Sequence, residues 1–156
     1  PMLQQQQIVN FCQKLRNMTS RRVFIEMETN ASIKPSLELY SMIDLFNTSP
    51  KLSNSNINVN VRYNEEVLLW HTNNNGSLSK SIFKFVVNNE KDLQEINNDF
   101  IDKFGISCNR IYLMPEGQIR EELEEKRKWV VEKCKEYGYN YSDRLHIIIY
   151  NQKTGV

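Results

Sequence analysis

Five short apolar runs, each divided from the next by a stretch of helical periodicity, constrain this chain more than any other feature. The runs fall at 22–27 (Val23-Phe24-Ile25-Glu26-Met27), 43–48, 82–87 (Ile82-Phe83-Lys84-Phe85-Val86-Val87), 110–114 and 145–150, and they predict strands. Helices are predicted between them: over 2–17 with Ile8, Phe11, Cys12 and Leu15 on one side, from Pro35 through Leu39 and Met42, and from Asn64 through Glu65 and Glu66 to Trp70. Two longer ones cover 90–103, stopped by Gly105, and 118–137, stopped by Gly138. Strand-helix alternation of this kind predicts βα units and an α/β fold with a mostly parallel sheet. The pattern alone does not separate a closed barrel, an open barrel and a doubly wound sheet. Asn75-Gly76 falls between a predicted helix and a strand, inside a polar loop at 73–80, so it signals no hairpin.

Composition narrows the function classes. Twenty Lys and Arg against nineteen Asp and Glu leave a formal charge of +1, which gives no electrostatic case for nucleic acid or an anionic membrane. No apolar run has the length of a membrane span, and the first residues are glutamine-rich rather than basic then apolar. Cys12, Cys108 and Cys134 are too widely spaced for a zinc ribbon or a cluster loop and predict reduced thiols in a cytosolic protein. The asparagine clusters at 54–60 and 73–75 read as loops. There is no P-loop, no glycine-rich dinucleotide turn, no HExxH and no Gly-x-Ser-x-Gly elbow.

The chemistry sits at the ends of the predicted strands, where parallel sheets and barrels hold ligands. Ser49-Pro50-Lys51 closes the second strand: Pro50 cannot extend a ladder, Ser49 can donate and accept, and Lys51 adds a compact cation. A ligand with a sugar hydroxyl and a carboxylate suits that pair; an ordinary strand stop with a solvated lysine is the plainer alternative. Glu28-Thr29-Asn30 ends the first strand and either binds a polar ligand or organises a turn. Met114-Pro115-Glu116-Gly117 is a strand-to-helix turn whose backbone suits an adenine edge, or simply a helix entrance. Arg144-Leu145-His146 opens the last predicted strand, with Arg144 able to grip a carboxylate and His146 able to donate, accept or titrate; a half-buried structural histidine is the alternative. Lys84 interrupts an apolar strand, His71 is expected as a solvated residue beside a loop, and the charges from Glu121 to Lys128 read as a solvated helix face.

Six of these runs, in order, resemble the 7-carboxy-7-deazaguanine synthase family of radical S-adenosylmethionine enzymes: Pro1-Met2-Leu3-Gln4, Glu28-Thr29-Asn30, Ser49-Pro50-Lys51, Lys84-Phe85-Val86-Val87, Met114-Pro115-Glu116-Gly117 and Arg144-Leu145-His146. The resemblance covers almost the whole chain and implies the C-terminal part of an incomplete β/α barrel, one partial domain over 1–156. It implies an S-adenosylmethionine site at Ser49, Pro50 and Lys51, with Met114, Pro115, Glu116 and Gly117 at the adenine end, Thr29 and Asn30 facing the same cavity, and His146 toward the substrate. It further implies a [4Fe–4S] cluster, a magnesium ion, a homodimer, a cytoplasmic location, and radical contraction of 6-carboxy-tetrahydropterin to 7-carboxy-7-deazaguanine with loss of ammonia, in the queuosine and 7-deazapurine pathways.

Two departures stand out. Ala31 occupies the place of the family's glycine, and the family's Cys-x-x-x-Cys-x-x-Cys is absent, so no catalytic residue or metal ligand is assigned and the isolated chain is expected to be inactive. Pro1 as first residue fits either a removed methionine or a cut from a longer chain, and the resemblance favours the cut. Two other expectations remain open: another radical S-adenosylmethionine enzyme, such as a reductase activase, and a non-catalytic α/β module that binds S-adenosylmethionine or a purine-like ligand.

Overall fold

A computed structural model describes residues 1–72 and 79–153. The fold is α/β, and its strand pairings are parallel. The chain divides into two compact units, one of Pro1–Pro50 with Asn58–Ile82 and one of Lys51–Ile57 with Phe83–Val156.

The first unit begins with a 3-10 turn, Met2–Gln4, that runs into helix α1, Gln5–Asn17. Strand β1, Glu26–Thr29, pairs with β2, Leu45–Thr48, in the register Glu28↔Asn47 and Thr29↔Thr48. Helix α2, Leu37–Met42, connects them. Its amino end is capped by Ser36, whose hydroxyl accepts the Leu39 N–H at 3.1 Å, a contact worth about 1 kcal/mol. Its carboxyl end meets the Lys80 ammonium, which donates to the carbonyls of Tyr40 (3.1 Å) and Ile43 (2.8 Å) where the helix dipole favours a cation. Gln5 ties α1 to the loop before α2: its Oε1 accepts from the Ser36 N–H at 2.6 Å and its Nε2 donates to the Lys34 carbonyl at 3.1 Å. Met2, Val9, Met27, Leu39, Ile43 and Phe46 form the core. Two further helices follow, α3 at Val59–Arg62 and α4 at Glu65–Thr72, the second capped by Asn64 as its sequence predicts.

β1 starts later than the apolar run at 22–27 suggests. Phe24 is exposed, and the Ile25 N–H is taken by the Asp44 carboxylate at 2.9 Å rather than by a strand. Asp44 also meets Arg16 at 3.3 Å and Arg22 at 3.6 Å. The Ile25 N–H first, and then the two guanidinium groups, hold its carboxyl below the ordinary value against the opposing effect of burial.

A second correction concerns His71, expected at the surface. It is fully buried, with Nδ1 2.8 Å from the Ser81 hydroxyl and its ring packed edge-on against Phe46. A hydroxyl ten residues away in sequence pairs with its Nδ1, which no local pattern displays. The loop expected at 73–80 lies outside the described residues except for Ser79 and Lys80.

β3, Ser81–Val87, alternates between buried and half-buried positions. It pairs with β4, Ile111–Pro115, which pairs in turn with β5, Asn140–Tyr141. Helix α5, Glu90–Glu95, opens with a capping box between Asn89 and Asp92 and continues as a π-helical stretch, Ile96–Asp102, as far as Gly105 at φ +64°. Phe100 meets Phe85 edge-on at 4.9 Å between ring centres. Helix α6, Arg120–Tyr137, ends at Gly138 with φ +70° and packs on β4. Lys84 lies on the half-buried side of β3, opposite Tyr112 in register, so the face that it interrupts is partly open.

The run at 145–150 is helical, not a strand. The N–H groups of Ile147 and Ile148 both donate to the Arg144 carbonyl, and α7 covers Leu145–Tyr150. Only Ile147 of this run is buried, so one side of a short helix satisfies it, while Asn140–Tyr141 has already taken the place beside β4.

Candidate functional site

In the first unit, four of the expected residues meet at the carboxyl ends of β1 and β2. The Ser49 N–H donates to the Thr29 carbonyl at 2.7 Å, extending the pairing one step past both strands. Ser49 is half-buried and Pro50 buried. Thr29 turns inward, and its hydroxyl accepts the Ala31 N–H at 3.2 Å. Asn30 is exposed and closes a small turn: its Oδ1 accepts from the N–H (3.2 Å) and the hydroxyl (2.7 Å) of Ser32. Ala31 sits between them at φ +59°, buried, in the left-handed region that glycine enters without strain.

Sequence reasoning missed the face beside this turn. Glu26 and Glu28, two residues apart on β1, point the same way and are exposed. Asn47, opposite Glu28 on β2, is only 5% exposed. Its Nδ2 donates to Glu26 Oε1 at 3.0 Å and to Glu28 Oε1 at 3.4 Å. Its Oδ1 is buried and has no hydrogen-bond partner among the described residues, and neither does the Thr48 hydroxyl. A polar residue inside a four-residue strand, two positions before Ser49, was the available signal.

In the second unit, Lys51 opens a short segment that is anchored two residues later. There Ser53 donates its N–H (2.9 Å) and its hydroxyl (2.5 Å) to Glu95, and Asn54 donates to the Val86 carbonyl at 3.0 Å. Lys51 itself is half-buried and already engaged.

Met114 and Pro115 complete β4, and the turn after it is held from several sides. The Glu116 N–H donates to the Val87 carbonyl at 2.9 Å, and its carboxylate pairs with Lys126 at 2.6 Å. The Gly117 carbonyl accepts from Arg144 Nη1 at 2.6 Å. Arg144 therefore braces the turn. A bare methyl at Gly117 would lie 2.8 Å from Leu123 Cδ2, so the glycine answers a close approach to α6 and not a positive φ. His146 is exposed on α7. Nearby, Arg127 bridges Asp143 at 2.9 Å and Glu124 at 2.8 Å. Burial, reinforced by the Asp143 carboxylate, pushes the Tyr141 phenol up to about 12.

Hydroxyl and amide groups thus stand at the ends of β1 and β2, the Asn47 bridge to Glu26 and Glu28 lies on the exposed face of β1, and a backbone-rich turn braced by Arg144 and Lys126 stands at the end of β4. Such sets bind polar small molecules. Cys12 and Cys134 are buried and Cys108 is exposed, and among the described residues no group of His, Cys, Asp and Glu is placed to hold a metal ion. Likewise, no helix among them is long and apolar enough to cross a membrane.

Known proteins resemble the chain in sequence. It is 30% identical over 133 residues to a 7-carboxy-7-deazaguanine synthase of Pyrobaculum aerophilum, a match covering 84% of this chain and 54% of that protein. It is 33% identical over 72 residues to the synthase of Rhodopirellula baltica (46% of this chain, 28% of that protein) and 36% identical over 73 residues to that of Halobacterium salinarum (44% and 28%). No protein-family model and no solved structure matches the chain. By these similarities the chain is a relative of the 7-carboxy-7-deazaguanine synthases, and it spans about half the length of the Pyrobaculum aerophilum protein.

Proposed function

We propose that the chain forms part of a 7-carboxy-7-deazaguanine synthase of the radical S-adenosylmethionine type, acting on 6-carboxy-tetrahydropterin in 7-deazapurine synthesis. One observation carries the reading: the runs that resemble the family stand at the carboxyl ends of parallel strands, Thr29-Asn30 and Ser49-Pro50 after β1 and β2, and Met114 to Gly117 at the end of β4.

The donor set fits S-adenosylmethionine. Ser49 and Pro50 would contact the sugar, Lys51 the carboxylate, and the Met114–Gly117 backbone the adenine edge; Thr29 and Asn30 would be further cofactor contacts, and His146 a substrate contact. When bound, the cofactor supplies the hydrogen-abstracting chemistry, and the protein binds and orients it.

The cysteines do not fit the iron–sulfur cluster, since two are buried and one is exposed, and no cluster-binding spacing occurs in the sequence. The cluster ligands would therefore have to be supplied by residues other than these cysteines. The chain alone is expected to give no turnover, and the complete enzyme to be a cytoplasmic homodimer that does not bind nucleic acid. The same cysteine arrangement favours a second reading, a non-catalytic module that binds S-adenosylmethionine or a purine-like ligand.

Ligand-observed NMR with S-adenosylmethionine tests the shared element. Saturable binding that weakens several-fold in Ser49→Ala is expected. No binding would overturn both readings. Turnover of the pterin by this chain with reductant would overturn the assignment of the cluster to other residues.

A further inference from the structure

We propose that Arg144 is a positioning residue: it holds the Gly117 carbonyl, keeps the turn after β4 in one place, and so sets how well that turn tells a 6-amino from a 6-oxo purine ring. The inference rests on the reading that this turn meets the adenine edge of S-adenosylmethionine. It gives a role to a residue that acts through the turn and not on the ligand.

Arg144 stands on a fixed base. Its N–H donates to Asp143 Oδ1 at 2.8 Å, and Asp143 Oδ2 accepts from Arg127 Nε of α6 at 2.9 Å. Its carbonyl accepts the N–H groups of Ile147 (2.9 Å) and Ile148 (3.1 Å) and so opens α7. Asp143 is thereby engaged at both oxygens. The Arg144 guanidinium goes instead to the main-chain carbonyl of Gly117 at 2.6 Å, and no carboxylate among the described residues pairs with it. On a carboxylate a guanidinium neutralises charge; on a carbonyl its rigid fork fixes a direction.

The turn is tied on its other sides to β3 and α6. The Glu116 N–H donates to Val87 of β3 at 2.9 Å, the Glu116 carboxylate pairs with Lys126 of α6, and the Gln118 N–H donates to Glu122 Oε2 of α6 at 2.7 Å. Because Glu116 faces β3, alternation along the chain turns the main-chain groups of Gly117 the other way, toward the segment after β5, and Arg144 meets them there. Gly117 is buried, so its carbonyl has no ready exchange with water. Glycine also has the widest choice of backbone angles. Without the guanidinium this residue would rotate toward another donor and carry Glu116 and Gln118 with it. The remaining anchors act before and after Gly117, and none of them holds its carbonyl.

A ring edge is read by contacts that need correct placement, so a shifted turn costs the matching ring more than the mismatched one. The test titrates this chain by ligand-observed NMR with S-adenosylmethionine and with S-inosylmethionine, its 6-oxo counterpart. Wild type is expected to prefer S-adenosylmethionine. Arg144→Met, which keeps the stem and removes every donor, is expected to lose about tenfold affinity for S-adenosylmethionine and little for S-inosylmethionine, the weight of one charge-assisted hydrogen bond. Arg144→Lys, with a charge and no fork, is expected to fall between the two. Urea unfolding is followed on the same proteins. A purely structural arginine would lower the unfolding midpoint and weaken both ligands alike. Should Arg144→Met fail to fold, Arg144→Lys carries the comparison, with the preference narrowed in the same direction.

A preference that survives in the Arg144 variants, or two affinities that fall together, overturns the positioning role and leaves the S-adenosylmethionine reading standing. Wild-type binding without preference between the two rings overturns this inference alone. Binding of neither ligand by wild type overturns the reading and this inference together.

Discussion

Gly117→Ala should destabilise the protein by about 2 kcal/mol, and the cause should be traceable to one side chain. The added methyl would stand 2.8 Å from Leu123 Cδ2, 3.3 Å from Leu123 Cγ and 3.1 Å from Glu122 Cβ. Ordinary contact begins near 3.4 Å, so the worst overlap is about 0.6 Å. Glu122 Cβ is fixed by the first turn of α6 and cannot retreat. Leu123 is fully buried and has nowhere to rotate without displacing other core atoms. Overpacking of this kind costs about 1–3 kcal/mol. Leu123→Val removes the clashing atom and alone costs about 1 kcal/mol. The double variant should therefore be roughly as stable as Leu123→Val, a coupling of about 1–2 kcal/mol. Urea unfolding of all four proteins, followed by circular dichroism, measures the cycle. Additive effects, or a Gly117→Ala variant as stable as wild type, would refute the steric account and return the glycine to the ligand.

Three further outcomes are expected. Ala31→Gly should lie within about 1 kcal/mol of wild type in urea unfolding, because relief of a left-handed alanine (about 1–2 kcal/mol) is offset by chain entropy and a lost buried methyl; Ala31→Val should cost more than about 2 kcal/mol, and an unaffected valine variant would contradict the assigned conformation. Because Asp44 is held below its ordinary value, its stabilisation is complete above the unfolded carboxyl pKa and is lost as pH falls through the folded one; acid unfolding of Asp44→Asn should show a shallower loss below about pH 4, and an unchanged slope would remove Asp44 from the account. Iodoacetamide at pH 8 should label Cys108 at once by mass spectrometry and spare Cys134, whose thiol burial pushes up to about 11, until denaturant is added; equal rates would contradict its burial.

The parallel α/β arrangement was legible because strand and helix periods alternate in the sequence, and helix ends were legible at Asn64, Gly105 and Gly138, whereas the helix expected to open at Pro35 begins at Leu37 behind a Ser36 cap. Failures came where tertiary partners outvote local preference. Ile147-Ile148-Ile149 has the composition of a strand, but β4 is paired by Asn140–Tyr141, whose composition is undistinguished. Val23 to Ile25 looks like a strand start, yet Asp44 takes the Ile25 N–H. His71 found its partner in a hydroxyl on β3. At the candidate site, the turn residues could be read as motifs. The bridge from Asn47 to two glutamates needed the register of β1 against β2, which sequence spacing does not contain.

The clamp made by Gln5 bears on how the glutamine tract at 4–7 tolerates changes in length. Replication slippage in such a tract inserts or deletes whole glutamines. The residue three before Ile8 stays a glutamine after a one-residue insertion, so the contacts to Lys34 and Ser36 persist. What moves is the segment upstream: one added helical residue turns it by about 100°. Met2, 6% exposed in the first unit's core, would swing out of its socket. Repeat-length variation should therefore be silent at the clamp and felt at Met2, so that a shift in tract length is best compensated by an apolar residue at whichever position rotates inward.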